Sequence, residues 1–255
     1  MNGELHQVCK IVASTKKALK ENKNIVFEPF KYENVIIFQF IEKKTWLGKK
    51  AFKANNVVEW YDECRKRGLE DIKLLTPVNV KSRNLLGFSN AKQKLLVCFY
   101  KNGHVTFFTA HWDFQREKQL WNITYTEHPW DNPNPPREKP SFDDNTDDFV
   151  KILNEIEGFA RIIDCDSFAE LFHKAALAAT GEFTEETKMT IALPEKNLKL
   201  FRAASIADVF GAMSSWNDSP PYMAHEKNLA KQYEDLSMEL YRQMTLATLY
   251  AVNEW

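Results

Sequence analysis

The sequence predicts an α+β protein, with an antiparallel three-stranded meander and flanking helices in its N-terminal part and an all-helical C-terminal part. Two observations lead to this fold class. The meander, at about residues 94–128, is indicated by Asn102-Gly103, which lies between two apolar runs and is the strongest short hairpin signal. The change to helices is indicated by the five prolines of residues 129–140, beyond which apolar residues recur at helical spacing. We therefore expect strands and helices to be segregated along the chain.

Two helices and one strand are predicted ahead of the meander. Apolar residues at helical spacing indicate a helix over residues 4–21, and the β-branched and aromatic content of Asn34–Glu42 indicates a strand. A second helix is expected to begin near Asn56 and to end at Gly68, because glycine is favoured just after a helix C-terminus.

The meander is expected to have two strands around the Asn102-Gly103 turn and a third at residues 120–127. A two-residue type I′ loop would place three pairs on one face, namely Tyr100–Val105, Cys98–Phe107 and Leu96–Thr109. Both faces of the first two strands are apolar, so we expect both to be covered. The third strand alternates apolar and polar residues, which is typical of an edge or half-exposed strand.

A proline-rich connector at residues 129–142 is predicted to join two parts of the chain. Its prolines are incompatible with a helix interior or a central strand. We expect a basic α+β part at residues 1–128 and an acidic helical part at residues 143–255, either as separate domains or packed as one. Within the helical part, Pro194 is expected to open one helix, and residues 224–253 to form a single long helix.

Charge is divided between the two halves of the chain. Residues 1–128 carry 22 Lys and Arg against 13 Asp and Glu, a net charge of +9, whereas residues 129–255 carry 12 against 22, a net charge of −10. Residues 56–163 have the α-βββ-α order of a double-stranded-RNA-binding domain. That fold needs a basic N-terminus on its second helix, but this chain has four aspartates within residues 143–148. Nucleic acid is therefore kept only as a second alternative partner, and we expect the oppositely charged halves to attract each other within one chain or across a dimer.

Composition excludes further classes of protein. The N-terminus has no apolar segment of the kind found in secretory signals, and no apolar run approaches the ~18 residues of a membrane span. The four cysteines are scattered without a C-x-x-C pair, as in proteins of reducing compartments. We expect a soluble, cytoplasmic protein with no membrane partner.

His111 and Asp113 are the candidate pair for acid–base chemistry. They lie two residues apart on the second meander strand and therefore share a face. No third catalytic group is identifiable, so a structural role for the pair is favoured. The common serine-hydrolase and nucleotide-binding signatures are absent, and the aspartates at 143–148 lack the spacing of a calcium loop. Neither a metal nor a cofactor is predicted, and catalysis at His111 and Asp113 is an alternative rather than the expectation.

The segment Val209–Tyr222 is the strongest candidate for a binding surface. It combines turn formers, Asn217 and Asp218, with three aromatic side chains, those of Phe210, Trp216 and Tyr222. One interpretation is an interhelical corner held in place by its aromatic residues and ended by Pro220-Pro221. The other is a recognition loop in which Trp216 is the main contact residue and Asn217 and Asp218 determine specificity.

This segment, VFGAMSSWNDSPPY, together with the LYRQM…YAVNEW tail, resembles the C-termini of uncharacterised bacterial proteins of unassigned function. The resemblance covers about a fifth of the chain and implies no catalytic residues. Proteins of this size and build are similar to toxin-immunity and mobile-element proteins. The sequence thus favours a protein that binds another macromolecule, either a partner protein or a second copy of itself.

Overall fold

The computed structural model of the chain describes residues 1, 3–41, 43–45, 48–50, 52–78, 94–130, 139–183, 191–211 and 213–255. Its strands are β1 (Glu33–Gln39), β2 (Lys43–Thr45), β3 (Gly48–Lys50), β4 (Lys53–Ala54), β5 (Leu69–Leu75), β6 (Leu95–Tyr100), β7 (Val105–Gln115) and β8 (Leu120–Pro129). Its helices are α1 (Gly3–Glu21), α2 (Val57–Lys66), α3 (Thr146–Ile162), α4 (Asp166–Thr180), α5 (Glu195–Ile206), α6 (Pro220–Glu226) and α7 (Ala230–Asn253).

The chain forms two compact units. Unit 1 comprises Met1–Gln7, Thr76–Gln93 and Ser141–Trp255, and unit 2 comprises Val8–Leu75 and Lys94–Pro140. None of the helices in the described ranges combines the length and the apolar character that crossing a membrane requires.

Unit 2 contains a six-stranded mixed sheet in the order β4-β1-β8-β7-β6-β5. The β1–β8 pair is parallel, with Ile36 opposite Ile123, and the other neighbours are antiparallel. The α+β class and the helical C-terminal part agree with the prediction. The predicted three-stranded antiparallel meander is wrong, because its strands belong to this six-stranded mixed sheet. The third strand was expected to be an edge or a half-exposed strand. The edge alternative is wrong, since β1 pairs with β8 on the side that would be open, but buried and partly exposed residues do alternate along β8. Strands β2 and β3 form a separate two-stranded ladder.

The β6–β7 hairpin differs from its prediction in loop length and register. The N–H of Tyr100 donates to the carbonyl of His104 at 3.0 Å, and the N–H of Gly103 donates to the carbonyl of Tyr100 at 2.9 Å. Of the loop residues, only Gly103 has a positive φ, 77°. The loop thus has three residues rather than two, as in a type I turn followed by a glycine bulge. All three predicted pairs are wrong by one residue: Phe99 lies opposite Val105, and Cys98 opposite Thr106.

Apolar residues cover both faces of the sheet in unit 2. On one face, the Phe38 ring stacks on Trp60 of α2 at 4.9 Å between centroids and on Tyr125 at 4.8 Å. On the other face, the buried residues Val97, Phe99 and Val105 form a second cluster. The prediction that the first two meander strands are covered on both faces is confirmed for β6, but it is wrong for the second half of β7, where His111, Asp113 and Phe114 are exposed.

Unit 1 is helical from Thr146 onward. Helix α3 packs on α4 and α7, and α5 packs on α4 and α7. Pro194 precedes α5, as predicted. The single helix predicted for residues 224–253 is wrong: α6 ends at Glu226, and Asn228 adopts a left-handed conformation with φ 59° before α7 begins. The Pro220-Pro221 pair opens α6 instead of ending the preceding turn, because proline fits the first helical positions, where no intrahelical N–H bond is needed.

Candidate functional site

The predicted recognition segment is a corner between α5 and α6, here called the 209–222 corner. Trp216 lies fully buried against the rings of Phe168 and Phe172, at 5.2 and 5.1 Å between centroids. Its indole Nε1 donates to Ser237 Oγ at 2.8 Å, and its carbonyl accepts from the Tyr233 hydroxyl at 2.6 Å. Trp216 is therefore placed as an internal anchor of the corner and not as an exposed contact residue.

Hydrogen bonds fix the polar residues of the 209–222 corner within the turn. Asp218 Oδ2 accepts from the N–H of Ser214 at 2.8 Å, and Ser214 has a φ of 60°. Asn217 is half-buried, and its Oδ1 lies 3.4 Å from the Tyr233 hydroxyl. Phe210 is buried against Tyr241, at 5.4 Å between ring centroids. The hydrogen bonds of Asp218 and Asn217 thus stabilise the turn, although Asp218 remains exposed.

Large apolar side chains are left in solvent at the same corner. Met213 is 90% exposed and Tyr222 is 64% exposed. Lys227, directly after α6, donates to the carbonyl of Ile162 at 2.7 Å, which places Ile162, itself 57% exposed, beside the end of α6. Of the predicted residues, Tyr222 is the one that presents apolar surface outward, and Met213 and Ile162 were missed because exposure of an apolar residue has no local sequence signal.

His111 and Asp113 lie on β7, where both are exposed. Asp113 Oδ2 accepts from the side-chain amide of Gln115 at 2.5 Å, on the same strand. The structure brings no further titratable partner to the pair by a hydrogen bond or ion pair among the residues that it describes. The arrangement offers neither a buried nucleophile nor an enclosed volume for substrate.

The aspartates at 143–148 have different roles: two lie at the start of a helix, and one forms an ion pair. Asp147 and Asp148 lie in the first turn of α3. Asp144 pairs with Lys196 at 2.8 Å and accepts from Thr146. Partial burial raises the pKa of Asp144, but the hydrogen bonds from Lys196 and Thr146 outweigh it and lower the pKa to about 2. In the described part of the chain, no group of three or more His, Cys, Asp and Glu side chains is arranged to hold a metal ion.

Unit 2 contains a cavity of about 430 Å³ that was not predicted from the sequence. It lies where the α2–β5 turn, the β6–β7 loop and the ends of β1 and β8 meet. Among the residues that the structure describes, its lining includes Ile41, Arg67, Tyr100, Asn102, His104, Thr106 and Glu127. Tyr100, Thr106 and Glu127 are buried, whereas Asn102 and His104 are exposed and so belong to the mouth.

Glu127 is the most enclosed charge in this lining, with a side chain only 1% exposed. Its Oε1 accepts from the Thr106 hydroxyl at 3.0 Å. Its Oε2 accepts from the N–H of Ile41 at 2.9 Å and from Arg67 Nη1 at 3.3 Å. A carboxylate with three donors is well compensated for the loss of water, so Glu127 serves as a fixed polar floor.

Local backbone features position Arg67. Asn56 caps α2 by accepting from the N–H of Glu59, and Gly68, with a φ of 87°, turns the chain at the other end. The carbonyl of Gly68 accepts from the N–H of Lys101 at 3.0 Å, which attaches this turn to the β6–β7 loop. Arg67 Nε donates to Glu63 Oε1 at 2.8 Å. The guanidinium lies 4.2 Å from the centre of the Phe40 ring, which orients its plane.

Tyr100 forms the back of the cavity. Its hydroxyl donates to Cys64 Sγ at 3.9 Å, and its ring lies 6.1 Å from the His104 ring, tilted by 35°. Burial raises the pKa of the Tyr100 phenol far above its usual range, so the hydroxyl keeps its proton at neutral pH. Burial likewise raises the pKa of the neighbouring Cys98 thiol. The Tyr100 ring therefore supplies neutral packing surface, and its hydroxyl proton is already donated to Cys64.

One sequence signal for the cavity was present at Glu127. On β8 the inward positions are Ile123, Tyr125 and Glu127, so the apolar alternation continues into a carboxylate at a core position. A buried carboxylate needs partners, and Arg67 and Thr106 are the side chains that provide them.

Comparison of the chain with models of known protein families, with curated proteins and with solved structures found no match.

Proposed function

We propose that the protein acts by binding another protein through the 209–222 corner. The observation that carries this proposal is the contrast within the corner: Trp216 is fixed by hydrogen bonds from inside, while Met213 and Tyr222 extend into solvent. Isolated apolar residues on a surface need no explanation, but large apolar side chains on a well-anchored corner are typical of interaction sites. A preordered corner loses little conformational entropy on binding.

The charges around the corner determine the kind of partner. Asp218 and Glu226 are exposed, whereas Lys227 is engaged by Asp164 at 2.5 Å and by the carbonyl of Ile162. We therefore expect a partner surface with an apolar centre for Met213 and Tyr222 and a basic rim. A second copy of the chain is one such partner, because its residues 1–128 carry a net charge of +9.

Site-specific photocrosslinking tests this proposal. A photoreactive amino acid is placed at position 213 or at position 222 and, as the control, at Val26, an apolar residue of unit 2 that is 82% exposed. We expect one discrete crosslinked species from 213 and 222 in cells, absent from 26, and its mass distinguishes a second copy from another protein.

Affinity for the crosslinked partner is then measured with purified proteins. The double variant M213S/Y222S should weaken binding at least about tenfold, as expected when contact residues worth more than about 1.4 kcal/mol are removed. V26S should bind like the unaltered protein. An unchanged affinity of M213S/Y222S, or crosslinking from position 26 alone, would exclude the corner as the binding site.

A further inference from the structure

We propose that the unit 2 cavity binds a small, uncharged, planar molecule that carries a carbonyl or amide group. This site is independent of the 209–222 corner, which belongs to unit 1. The inference rests on the volume of the cavity, on its unused hydrogen-bond donors and on the balance of charge in its lining.

The volume suits a small organic ligand. At about 430 Å³ the cavity lies toward the lower end of the roughly 300–1,000 Å³ that is typical of ligand sites. The lining combines the Ile41 side chain and the rings of Tyr100 and His104 with a few polar groups, which is the usual composition of such sites. Flat rings on the walls favour a planar ligand, because offset stacking and edge contacts then become available.

Arg67 provides unused donors. A guanidinium has five N–H groups; here Nε donates to Glu63 and Nη1 to Glu127, and Nη2 has no hydrogen-bond partner among the described residues. The Arg67 side chain is only 14% exposed, so contact of its remaining N–H groups with bulk water is limited. A carbonyl oxygen of a ligand would satisfy these donors, and the exposed side chain of Asn102 offers its amide N–H groups at the mouth, while its Oδ1 accepts from the N–H of His104 at 3.1 Å.

The charge balance argues against an ionic ligand. Arg67 is already paired with two carboxylates, Glu63 at 2.8 Å and Glu127 at 3.3 Å. An anion would therefore meet a guanidinium whose charge is compensated, with Glu127 close by. A cation would meet a Glu127 carboxylate that already accepts from Thr106, Ile41 and Arg67 and is ion-paired with the Arg67 guanidinium. A neutral acceptor avoids both costs, because it adds a hydrogen bond without adding an unpaired charge.

Three probes of nearly equal shape separate these possibilities: benzamide, benzoate and benzamidinium. Each is titrated to about 10 mM into the full-length protein while backbone amide shifts of Ile41, His104 and Thr106 are followed by NMR, which detects dissociation constants near about 1 mM. We expect saturable shifts with benzamide and at least about tenfold weaker binding of the two ions. Equal or tighter binding of either ion would overturn the proposal, as would the absence of saturable shifts with benzamide.

Two variants place the probe in the cavity. Ile41→Trp fills the cavity while its backbone N–H can still donate to Glu127, so benzamide binding should disappear; Val26→Trp, the same change at an exposed site of unit 2, should bind normally. Arg67→Lys keeps the charge beside Glu127 but removes the planar fork, and we expect at least about fivefold weaker binding of benzamide. Unchanged binding by I41W, or by R67K, would show that the probe occupies another site or does not use these donors.

Discussion

Replacement of Thr106 by valine tests how firmly the cavity floor is built. The change keeps the shape of the side chain and removes one hydroxyl, which donates to Glu127 Oε1 at 3.0 Å. Both residues are buried, at 2% and 5% exposure. A hydrogen bond to a charged group contributes about 1.5–3 kcal/mol, and Glu127 retains two other donors in the variant. We therefore expect T106V to lower the free energy of unfolding of unit 2 by about 2 kcal/mol.

A double-mutant cycle with Glu127→Gln isolates the charge in this interaction. In the glutamine background the hydroxyl can form only a neutral hydrogen bond, which contributes about 0.5–1.5 kcal/mol. T106V should then cost about 1 kcal/mol less than it does beside the carboxylate, and this difference is the coupling energy of the pair. Native-state hydrogen exchange of the β7 and β8 amides measures the free energies of opening within unit 2.

A matched control lies three residues along the same strand. Thr109 Oγ1 and His128 Nε2 are 2.9 Å apart, so T109V makes the same exchange of hydroxyl for methyl away from the carboxylate. We expect T109V to cost no more than about 1 kcal/mol and to show no coupling to E127Q. Equal costs for T106V and T109V, with zero coupling in both cycles, would refute the conclusion that Thr106 helps to hold a buried carboxylate.

Three further perturbations test other parts of the structure. Trp216→Phe removes the donor to Ser237 and leaves part of the indole site unfilled. Calorimetry should therefore show that the free energy of unfolding of unit 1 falls by about 2–4 kcal/mol, against about 1 kcal/mol for Ser237→Ala. Equal losses in the two variants would contradict the anchoring role of the indole ring. The lowered pKa of Asp144, about 2, means that its stabilising effect is complete above its ordinary value of 3.8 and is lost as the pH falls toward 2. Lys196→Met should therefore raise this pKa in an NMR titration, and an unmoved pKa would exclude Lys196 as a cause. Gly68→Ala has space for its methyl group but forces alanine to a φ of 87°, and exchange of the β5 and β6 amides should report a loss of about 1–2 kcal/mol.

Local signals in the sequence predicted local structure well. Helix α2 illustrates this, because Asn56 accepts from the N–H of Glu59 at 2.8 Å and Gly68 adopts the left-handed conformation expected after a helix. Both features depend only on neighbours in the chain. The same holds for Pro194 ahead of α5.

Such local signals could not predict which strands pair when they lie far apart in the sequence. The parallel β1–β8 ladder joins Glu33–Gln39 to residues that lie more than 80 positions later, and nothing in either segment specifies its partner. The alternation in β8 was interpreted as an edge or a half-exposed strand, and it could not decide between them, because a strand with polar residues on one face can still hydrogen-bond to neighbours on both sides. Pairing depends on backbone groups, which sequence alternation does not report.

The candidate site was affected in the same way. Aromatic content drew attention to the 209–222 corner, but it could not distinguish Trp216, which is enclosed by Phe168, Phe172 and Tyr233, from Tyr222, which is exposed. Enclosure is a property of the assembled helices. Composition alone therefore left two interpretations open, a corner held in place by its aromatic residues and a recognition loop with Trp216 as the main contact, and the burial of Trp216 agrees with the first.

The β6–β7 loop relates the error in strand pairing to the error in the candidate site. Its one additional residue decides which β7 side chains face the unit 2 cavity. With the two-residue loop that Asn102-Gly103 favours, Thr106 would share a face with Val97 and Phe99, away from Tyr100. The observed three-residue loop shifts β7 by one position, so that Thr106 lies opposite Cys98 and its hydroxyl reaches Glu127. The same shift brings the carbonyl of His104 to the N–H of Tyr100 and leaves the imidazole at the mouth of the cavity. The chemistry of the proposed ligand site thus depends on a turn whose sequence signal was recognised but whose length was not.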